Sequence, residues 1–404
     1  MTVNIDQDKI NEVLDRGREN IYPNREFLEK ALKSGQRLRL YCGFDPTAVS
    51  LHIGNAIQLA KLADFQRLGH EVVFLIGDFT GMIGDPTDKT ATRKKLTREQ
   101  VKENAKNYKK QAGKYINFGG DNPARIEKNS KWLDKLTFAD LVEVGSNFTV
   151  QQMMQRDMFQ KRIEEEKSIH LHEFFYPLAQ GYDSLAMDVD GEVGGNDQTF
   201  NMLCGRDLQK AVQGKEKFVL TTKLIVDDQG KKMGKSEGNI VFLDESPENM
   251  YGKIMSWPDG VLANGFELCT RIPMAEVDAM RASMKNGANP RDFKMRLAFE
   301  ITKINHGDKK AKLAQEYFIK TVQKKEIPED IEIVRLPIQN IKVIELLVEL
   351  KLAASKGEAR RLIEQGGIKV DEKAVTDANA DINIEHTEML IQRGKRQFIR
   401  VVGE

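Results

Sequence analysis

Residues 37 to 77 carry the pattern that most restricts the fold of this chain. The segment RLRLYCGF alternates polar and apolar residues and predicts a strand that ends near Gly43. EVVFLIG, at residues 71 to 77, is a continuous apolar run typical of a buried parallel strand. Between them, IGNAIQLAKLADFQRLG has helical spacing and stops at Gly69, a suitable C-cap. Strand, helix and strand in this order form a β-α-β unit, the building block of a doubly wound parallel sheet.

The rest of the chain extends this α/β prediction. Residues 8 to 34 predict an amphipathic helix broken near Pro23. Further on, SLAMDVDG predicts a strand, DQTFNMLCGRDLQKAV a helix and KFVLTTKLIV another strand. KKEIPEDIEIVRLPIQN contains two prolines and no clear period, which indicates a linker. We therefore predict a Rossmann-type domain over 1–225, which includes the N-terminal helices and an inserted helical segment. A glycine- and lysine-rich loop with an α-helical domain is predicted over 226–325. A linker over 326–340 and a small α+β module over 341–404 complete the chain.

Composition narrows the class of protein. The chain has 404 residues, 30% of them charged and 40% hydrophobic, as in globular proteins with two or three domains. The net charge is +1, so any nucleic-acid surface must be a local patch. Cys42, Cys204 and Cys269 are far apart and form no CxxC pair, which argues against a disulfide framework or a zinc site. With neither a signal-peptide pattern nor an apolar run long enough to span a membrane, the sequence predicts a cytoplasmic protein.

The segment LHIGN, residues 51 to 55, places His52 where a helix is about to begin. A helix N-terminus offers unpaired N–H groups and a partial positive charge, which favour phosphate. The alternative is that His52 merely caps the helix, and the pattern alone does not decide. Gly54 lacks a Cβ, so a flat ring such as adenine could lie against its backbone. The sequence contains neither GxxxxGK[ST] nor GxGxxG, which argues against a P-loop enzyme and a nicotinamide enzyme.

A second segment, DDQGKKMGKSEGN at residues 227 to 239, follows a predicted strand. Lys232 and Lys235, with Ser236 after them, could fold over a triphosphate and stabilise charge on a leaving group. The alternative is a solvated loop whose lysines have no such role. The presence of LHIGN upstream in the same chain favours the triphosphate interpretation.

LHIGN and KMGKS resemble the HIGH and KMSKS signatures of class I aminoacyl-tRNA synthetases. Five segments resemble, in order along the chain, the motifs of the bacterial tyrosyl-tRNA synthetases. They are YCGFDPTAVSLHIGN, FTGMIGDPTDK, FYPLAQGYDS, VGGNDQ and LTTKLIVDDQGKKMGKS. The resemblance covers nearly the whole chain. Asn55 departs from it by replacing the second histidine of HIGH, and Gly234 by replacing the first serine of KMSKS. The resemblance implies that L-tyrosine and ATP form tyrosyl-adenylate and pyrophosphate, and that tyrosine then passes to the 3′ end of tRNA(Tyr).

Tyr176, Gln180 and Asp183 recur at helical spacing, beside apolar residues. This pattern suits a polar ligand in an apolar pocket, and its alternative is a solvated helix face. The resemblance implies that Tyr41 and Asp183 hold a phenol hydroxyl, that Tyr176, Gln180 and Asp85 hold an ammonium group, and that Gln198 orients a carboxylate. The implied tyrosine-binding set is Tyr41, Thr80, Asp85, Tyr176, Gln180, Asp183 and Gln198.

The resemblance also implies the nucleotide site. An adenylate would contact a set consisting of Cys42, Gly43, Asp45, His52, Gly54, Gly195, Asp197 and Lys235. The implied catalytic set consists of Thr47, His52, Asn55, Lys232, Lys235 and Ser236. Of these, Thr47 and His52 with the two lysines would stabilise the departing pyrophosphate. For Asp197 the alternative is a plain helix N-cap. Mg²⁺ is expected to arrive with ATP, because the sequence offers no dedicated carboxylate cluster and therefore no metal site of the protein's own.

Two basic regions are candidates for contact with tRNA. Residues 89 to 114 are dense in Lys and Arg, and a merely solvated helix is the alternative. The C-terminal module predicts two short helices, a Gly-Gly turn, a strand, and a closing strand EMLIQRGKRQFIRVV. It resembles the αL RNA-binding module, with a basic set consisting of Lys356, Arg360, Arg361, Arg393, Lys395 and Arg396. The resemblance further implies that residues 250–330 face the anticodon and that the chain forms a homodimer. For Met153, Met154 and Met158, a dimer interface and core packing are equally consistent with the pattern.

Three rival functions share parts of this pattern. Tryptophanyl-tRNA synthetases are closely related, but Tyr41, Asp183 and the C-terminal module argue against them. A small-molecule nucleotidyltransferase shares the histidine signature and has no need of that module. A non-catalytic RNA-binding protein could keep the fold, but His52, Lys232 and Lys235 argue for catalysis.

Overall fold

A computed structural model of the chain describes residues 2–85, 96–226, 240–323, 331–394 and 397–404. The chain forms two compact units. The first consists of Met1–Glu245 and Trp257–Leu297, and the second of Ser246–Ser256 and Ala298–Glu404. No helix in the described ranges is long and apolar enough to cross a membrane.

The first unit is built around a six-stranded sheet. Its strands are β1 (Arg18–Tyr22), β2 (Arg39–Phe44), β3 (Glu71–Ile76), β4 (Arg125–Lys128), β5 (Gly191–Gly195) and β6 (Phe218–Thr222). Their order is β1-β6-β5-β2-β3-β4, and every pair is parallel except β1 with β6. Every residue of β3 is buried, as expected for an inner strand of a parallel sheet. The predicted doubly wound α/β architecture is confirmed.

Helices connect these strands and extend the chain beyond them. They are α1 (Gln7–Asp15), α2 (Arg25–Lys33), α3 (Ile53–Arg67), α4 (Thr80–Ile83), α5 (Arg98–Ala105), α6 (Tyr108–Ala112), α7 (Ser130–Leu133), α8 (Phe138–Gly145), α9 (Val150–Met154), α10 (Asp157–Glu164), α11 (Phe175–Met187), α12 (Thr199–Gln213), α13 (Pro247–Met255), α14 (Leu262–Cys269), α15 (Met274–Lys285), α16 (Pro290–His306) and α17 (Asp308–Phe318). Short 3₁₀ turns lie at Leu171–Phe174, Asn196–Gln198 and Asp259–Val261, and a π turn lies at Ile319–Gln323.

Two local predictions in the first unit need correction. The helix predicted over 8–34 with a break near Pro23 forms as α1 and α2, but the break is wider than predicted and contains the edge strand β1. Gly17 has a φ of +63, and the residues after it pair with β6. The strand predicted at SLAMDVDG is instead the end of α11, and the true strand is the glycine-rich β5 that follows. Glycine has low strand propensity, so the residue pattern of β5 does not predict a strand. At Gly191 a Cβ would lie 2.0 Å from the ring of Phe218, so packing between β5 and β6 requires glycine there.

The C-terminal part of the second unit is a small α+β structure. Its elements are β7 (Glu332–Leu336), β8 (Gln339–Lys342), α18 (Val343–Glu349), α19 (Lys356–Glu364), β9 (Ile368–Val370), β10 (Lys373–Ala374), β11 (Asp381–Ile384), β12 (Met389–Arg393) and β13 (Gln397–Gly403). Five strands form a sheet in the order β10-β9-β12-β13-β7, and β11 pairs with β8. The side chains of Val343, Leu346, Leu347 and Ile391 are fully buried in its core. The predicted pair of helices followed by a turn and a strand is confirmed.

Two predictions for this part of the chain need correction. The segment predicted as a linker over 326–340 contains β7 and the start of β8, and β7 pairs in parallel with β13. The predicted single closing strand is a hairpin of β12 and β13 around Gly394, whose φ is +60. The first error arises because β7 owes its hydrogen bonds to the distant strand β13, for which its own sequence carries no signal. The hairpin has a local signal, Gly394 between two strand patterns, which the prediction did not use.

His70 is expected to make the fold sensitive to acid. The imidazole is fully buried, its Nδ1 accepts a hydrogen bond from the Leu38 N–H at 3.2 Å, and burial lowers the pKa of His70 from 6.5 to about 4. Between these values the unfolded chain binds a proton and the folded chain does not. This group alone should therefore lower the free energy of unfolding by about 3 kcal/mol as pH falls from 6.5 to 4. Urea unfolding at a series of pH values measures the effect.

The matched variant is His70→Asn, whose side-chain oxygen can accept the same N–H. We expect it to lose that part of the pH dependence while staying folded at neutral pH. An unchanged pH profile in the variant would show that His70 does not contribute to the acid sensitivity.

Candidate active site

His52 is the N-cap of α3, which follows β2 across a turn. Its Nδ1 accepts from the Asn55 N–H at 3.4 Å, and Asn55 Oδ1 accepts from the His52 N–H at 3.0 Å. This reciprocal capping box explains how asparagine serves at the position of the second histidine of HIGH. The capping interpretation of His52 is thus confirmed, and its phosphate-binding role stays a prediction. The capping hydrogen bond is made through Nδ1.

The absence of a side chain at Gly54 leaves space for the imidazole of His52. A Cβ at this position would lie 2.9 Å from Cε1 and 3.0 Å from Nδ1 of His52. Contact with the ring of His52 is therefore sufficient to require glycine at this position, whether or not adenine also contacts it. Contact of Gly54 with adenine stays a prediction.

The segment that contains Lys232, Lys235 and Ser236 lies outside the described residues, which resume at Ile240. The chain that follows it pairs with the start of α3. Ile53 N–H donates to the Val241 carbonyl at 2.9 Å, the Leu243 N–H donates to the Leu51 carbonyl at 2.8 Å, and Phe242 bridges to His52. Residues 241–243, which follow that segment, are therefore fixed beside His52.

Asp183 of α11 is a buried carboxylate with two fixed donors. It is 2% exposed, Oδ1 accepts from Trp132 Nε1 at 2.7 Å, and Oδ2 accepts from Asn129 Nδ2 at 3.2 Å. Burial raises the pKa of Asp183 well above its usual value, and the two donors act in the opposite direction. Asn129 and Trp132 were not predicted as site residues. Their signal was available, because Asn129 directly follows β4 and carboxyl ends of parallel strands collect ligand-binding residues.

A chain of hydrogen bonds continues from Asn129 across the site. Asn129 Nδ2 also donates to Thr80 Oγ1 at 2.9 Å, and Thr80 Oγ1 donates to Asp45 Oδ1 at 2.6 Å. The Tyr176 hydroxyl donates to Asp45 Oδ2 at 2.9 Å. Burial raises the pKa of Tyr176 well above its usual value, so the phenol stays protonated. Residues predicted for the amino-acid and nucleotide sites thus belong to one connected network.

Tyr41 of β2 is fully buried, and its hydroxyl lies 2.9 Å from Ser184 Oγ. Burial raises the pKa of Tyr41, and the charges of Glu192 and Asp183 raise it further. Gln180 Nε2 donates to Glu192 Oε1 at 2.9 Å. Ser184 and Glu192 were not predicted as site residues, because each lies in an otherwise apolar or glycine-rich run.

Asp85 and Gln198 lie together. Gln198 Nε2 donates to Asp85 Oδ2 at 2.6 Å, and Asn201 Nδ2 donates to Gln198 Oε1 at 2.9 Å. Arg156 lies 3.6 Å from Asp85 Oδ1 and over the rings of Phe159 and Phe200. This buried arginine was not predicted as a site residue, and it reduces the net negative charge beside Asp85.

The remaining predicted nucleotide residues lie at the carboxyl ends of β2 and β5, which are neighbours in the sheet. Gly43 is exposed, a Cβ on it would make ordinary contact with Leu75 Cδ2 at 3.8 Å, and the thiol of Cys42 is buried. A Cβ on Gly195 would lie 2.5 Å from Asp197 Oδ1, so this glycine makes room for the carboxylate. Among the described residues, no group of three or more His, Cys, Asp or Glu side chains could hold a metal ion.

The predicted RNA-binding residues divide into three groups. Lys356, Arg360 and Arg361 are exposed on α19. Arg393 is half-buried and donates to the Leu352 carbonyl and to Glu358, so its guanidinium stabilises the module itself. Lys395 and Arg396 lie outside the described residues, as do the basic residues between 86 and 95.

Known proteins match the chain over almost its whole length. A family model described as tRNA synthetases class I (W and Y) matches residues 33–323, and one described as the tyrosine–tRNA ligase SYY-like C-terminal domain matches residues 323–401. The chain is 43% identical to the tyrosine–tRNA ligase of Thermotoga maritima, over 97% of this chain and 96% of that protein. It is 42% identical to that of Aquifex aeolicus, over 97% and 98%.

Solved structures share the fold. A C-terminally truncated mitochondrial tyrosyl-tRNA synthetase from Coccidioides posadasii has a TM-score of 0.63 at 23% identity, over 77% of this chain and 92% of that one. The tyrosyl-tRNA synthetase of Archaeoglobus fulgidus has a TM-score of 0.59 at 20% identity, over 77% and 100%. Family matches along the chain and identity above 40% to full-length relatives lead to one conclusion: this chain belongs to the class I aminoacyl-tRNA synthetases, in the tyrosine–tRNA ligase family.

Proposed function

We infer that this chain is a tyrosine–tRNA ligase, which activates L-tyrosine with ATP to tyrosyl-adenylate and pyrophosphate and then transfers tyrosine to the 3′ end of tRNA(Tyr). The observation that carries the choice of amino acid is the buried carboxylate of Asp183, held by Trp132 and Asn129. A ligand without a hydroxyl leaves such a group without its remaining partner, which is costly. A phenol donates to it and removes that cost.

Activation requires no nucleophile from the protein, because the tyrosine carboxylate attacks the α-phosphate of ATP. The protein's task is to bind both substrates and stabilise the negative charge that develops on pyrophosphate. We assign this stabilisation to Thr47, His52, Lys232 and Lys235, with Asn55 holding His52 through the capping box. Mg²⁺ enters with ATP as part of the substrate.

The other end of the ligand has a suitable polar environment. Tyr176 and Gln180 lie on the inner face of α11, and their partners are the carboxylates of Asp45 and Glu192. This negative environment favours the ammonium group of tyrosine. Gln198 and Asp85 lie together at the position proposed for the tyrosine backbone, with Asp197 and Gly195 proposed for the ribose.

The tRNA is proposed to contact the C-terminal module through Lys356, Arg360 and Arg361, with Lys395 and Arg396 in the same set, and residues 250–330 are proposed to face the anticodon. Exposed cations on a short helix can neutralise phosphates of an RNA. Arg393 is expected to contribute less to tRNA contact than these residues, because its guanidinium is hydrogen-bonded within the module.

Removal of residues 331–404 is expected to separate the two reaction steps. This boundary, unlike one at 340, removes β7 together with the sheet to which it belongs. Adenylate formation should remain within about threefold of wild type, while kcat/KM for tRNA charging falls by about 100-fold, since phosphate contacts supply much of the affinity for RNA. Pyrophosphate exchange and tRNA charging measured side by side test this. Charging at the wild-type rate would refute the role of the module.

A homodimer in the cytoplasm is the proposed working form. Large apolar side chains are exposed between residues 138 and 171, namely Phe138, Val142, Val150, Ile163 and Leu171. Exposed apolar groups of this kind mark interaction surfaces. Met153 does not belong to this surface, because it is buried against Val144, Leu178 and Leu208 and packs the core. The buried free cysteines are in keeping with a reducing compartment.

Pyrophosphate exchange with a panel of amino acids tests the function. Exchange with ATP should depend on tyrosine, be weak with phenylalanine and be absent with tryptophan. Exchange that depends on tryptophan would instead favour the related tryptophanyl enzymes. An absence of exchange with every amino acid would favour a non-catalytic RNA-binding protein.

A further inference from the structure

A fully buried ion pair lies beneath the proposed tyrosine pocket. Lys217, just before β6, is 0% exposed, and Glu192 of β5 is 1% exposed. Lys217 Nζ donates to Glu192 Oε2 at 2.5 Å and to Ser184 Oγ at 2.7 Å. Burying two charges is unfavourable, and apolar residues of similar size often stabilise a core as well or better. The position of this pair below the pocket indicates a role beyond packing.

One branch of the network leads to the proposed ammonium site. Glu192 Oε1 accepts from Gln180 Nε2 at 2.9 Å. An ionised carboxylate can only accept hydrogen bonds, so it holds the amide nitrogen of Gln180 toward itself. The amide oxygen of Gln180 is thereby turned away from Glu192, where it can accept from an ammonium group.

The other branch leads to the proposed phenol site. An ammonium group can only donate, so Ser184 Oγ must accept from Lys217. Ser184 then retains its own hydrogen for the Tyr41 hydroxyl, 2.9 Å away. The Tyr41 hydroxyl also lies 3.5 Å from the Gln180 carbonyl, to which it donates over this long distance. A phenol oxygen of the ligand at ordinary hydrogen-bond distance would replace that contact, and the phenol would in turn donate to Asp183. By occupying one lone pair of Ser184 Oγ, Lys217 favours donation from Ser184 to Tyr41 and so favours this direction of the hydrogen bonds at the phenol.

We propose that Lys217 is a positioning residue that acts through Glu192 and Ser184, so that Gln180 presents its oxygen to the ammonium group of tyrosine and Tyr41 presents its hydrogen to the phenol oxygen. The proposal rests on the proposed function of the chain. Lys217 contacts protein groups only, and its effect on the substrate is indirect.

The test is Lys217→Met, which keeps the length of the side chain and removes its charge. KM for tyrosine in pyrophosphate exchange should rise about tenfold or more, while kcat stays within about threefold, because oriented hydrogen bonds to charged groups contribute on this scale. Discrimination against phenylalanine should fall. Inhibition by 3-(4-hydroxyphenyl)propanoate, which lacks the ammonium group, should weaken less than tyrosine binding.

Lys215→Met is the matched control, because Lys215 lies two residues away and pairs at the surface with Asp188 and Asp190. Its kinetic constants should equal those of wild type. Circular dichroism melting verifies that each variant is folded.

Should Lys217→Met fail to fold, the double variant Lys217→Met with Glu192→Gln removes both charges and decides the question. It should fold and show a raised KM for tyrosine and reduced discrimination, since the amide introduced in place of the Glu192 carboxylate is no longer held in one orientation. A folded single or double variant with wild-type KM and discrimination overturns the proposal. An inactive wild-type chain would instead refute the proposed function, so the two failures are distinguishable.

Discussion

Replacement of His52 by alanine should lower the rate of tyrosyl-adenylate formation by about 100-fold or more, with little change in KM for tyrosine. The loss of one fixed donor that stabilises developing negative charge has an effect of about this size. The tyrosine pocket is formed by other residues, so its affinity is preserved. Pre-steady-state measurement of adenylate formation at saturating ATP gives the rate directly.

Because His52 also caps α3, alanine alone cannot distinguish catalysis from helix stability. His52→Asn provides the distinction, since asparagine is among the best N-cap residues and lacks an imidazole. We expect both variants to lose the activation rate and only His52→Ala to melt at a lower temperature. Wild-type activity in His52→Asn would show that the histidine serves the helix end alone.

Asp183→Asn should lower kcat/KM for tyrosine by about 100-fold and reduce discrimination against phenylalanine. The carboxylate accepts from Trp132 and Asn129, and an amide would turn its own N–H₂ group toward one of these donors. The hydrogen bond from the phenol of the substrate is weakened at the same time. Losses of charged hydrogen bonds of about 1.5 to 3 kcal/mol correspond to this range. Exchange measured with both amino acids gives the ratio.

The matched control is Asp188→Asn, at the end of the same helix. Asp188 is exposed, has a φ of 47 and pairs with Lys215. Asparagine tolerates this left-handed conformation well, so kinetics and stability should be unchanged. Equal losses in the two variants would indicate a general effect on α11 and contradict a specific role for Asp183.

The sequence predicts the parts of this molecule whose signals are local. The β-α-β unit over residues 37–77 has distinct strand and helix periods, and the structure forms β2, α3 and β3 there. The face of α11 with Tyr176, Gln180 and Asp183 follows from helical spacing, and the structure turns Tyr176 and Asp183 into the buried network. Local periodicity and strand ends are sufficient for these predictions.

The parts that the sequence does not predict depend on contacts between distant segments. β1 and β7 are strands because they pair with β6 and β13, and the residue pattern of neither segment predicts this pairing. Lys217 looks like a surface lysine in KEKF until the fold places it beside Glu192. Trp132 and Asn129 reach Asp183 because the fold brings the turn after β4 to α11. The strand propensity of a residue depends on the neighbours against which it packs in the sheet. Contacts between distant segments therefore cannot be predicted from the sequence of either segment alone.

A crystal structure of the chain with a non-hydrolysable tyrosyl-adenylate analogue tests the central claim most directly. We expect the phenol oxygen within hydrogen-bond distance of both Asp183 and Tyr41, and the phosphate analogue next to His52 and the segment with Lys232 and Lys235. A ligand whose phenol lies away from Asp183, or whose phosphate position is remote from His52, would contradict the account.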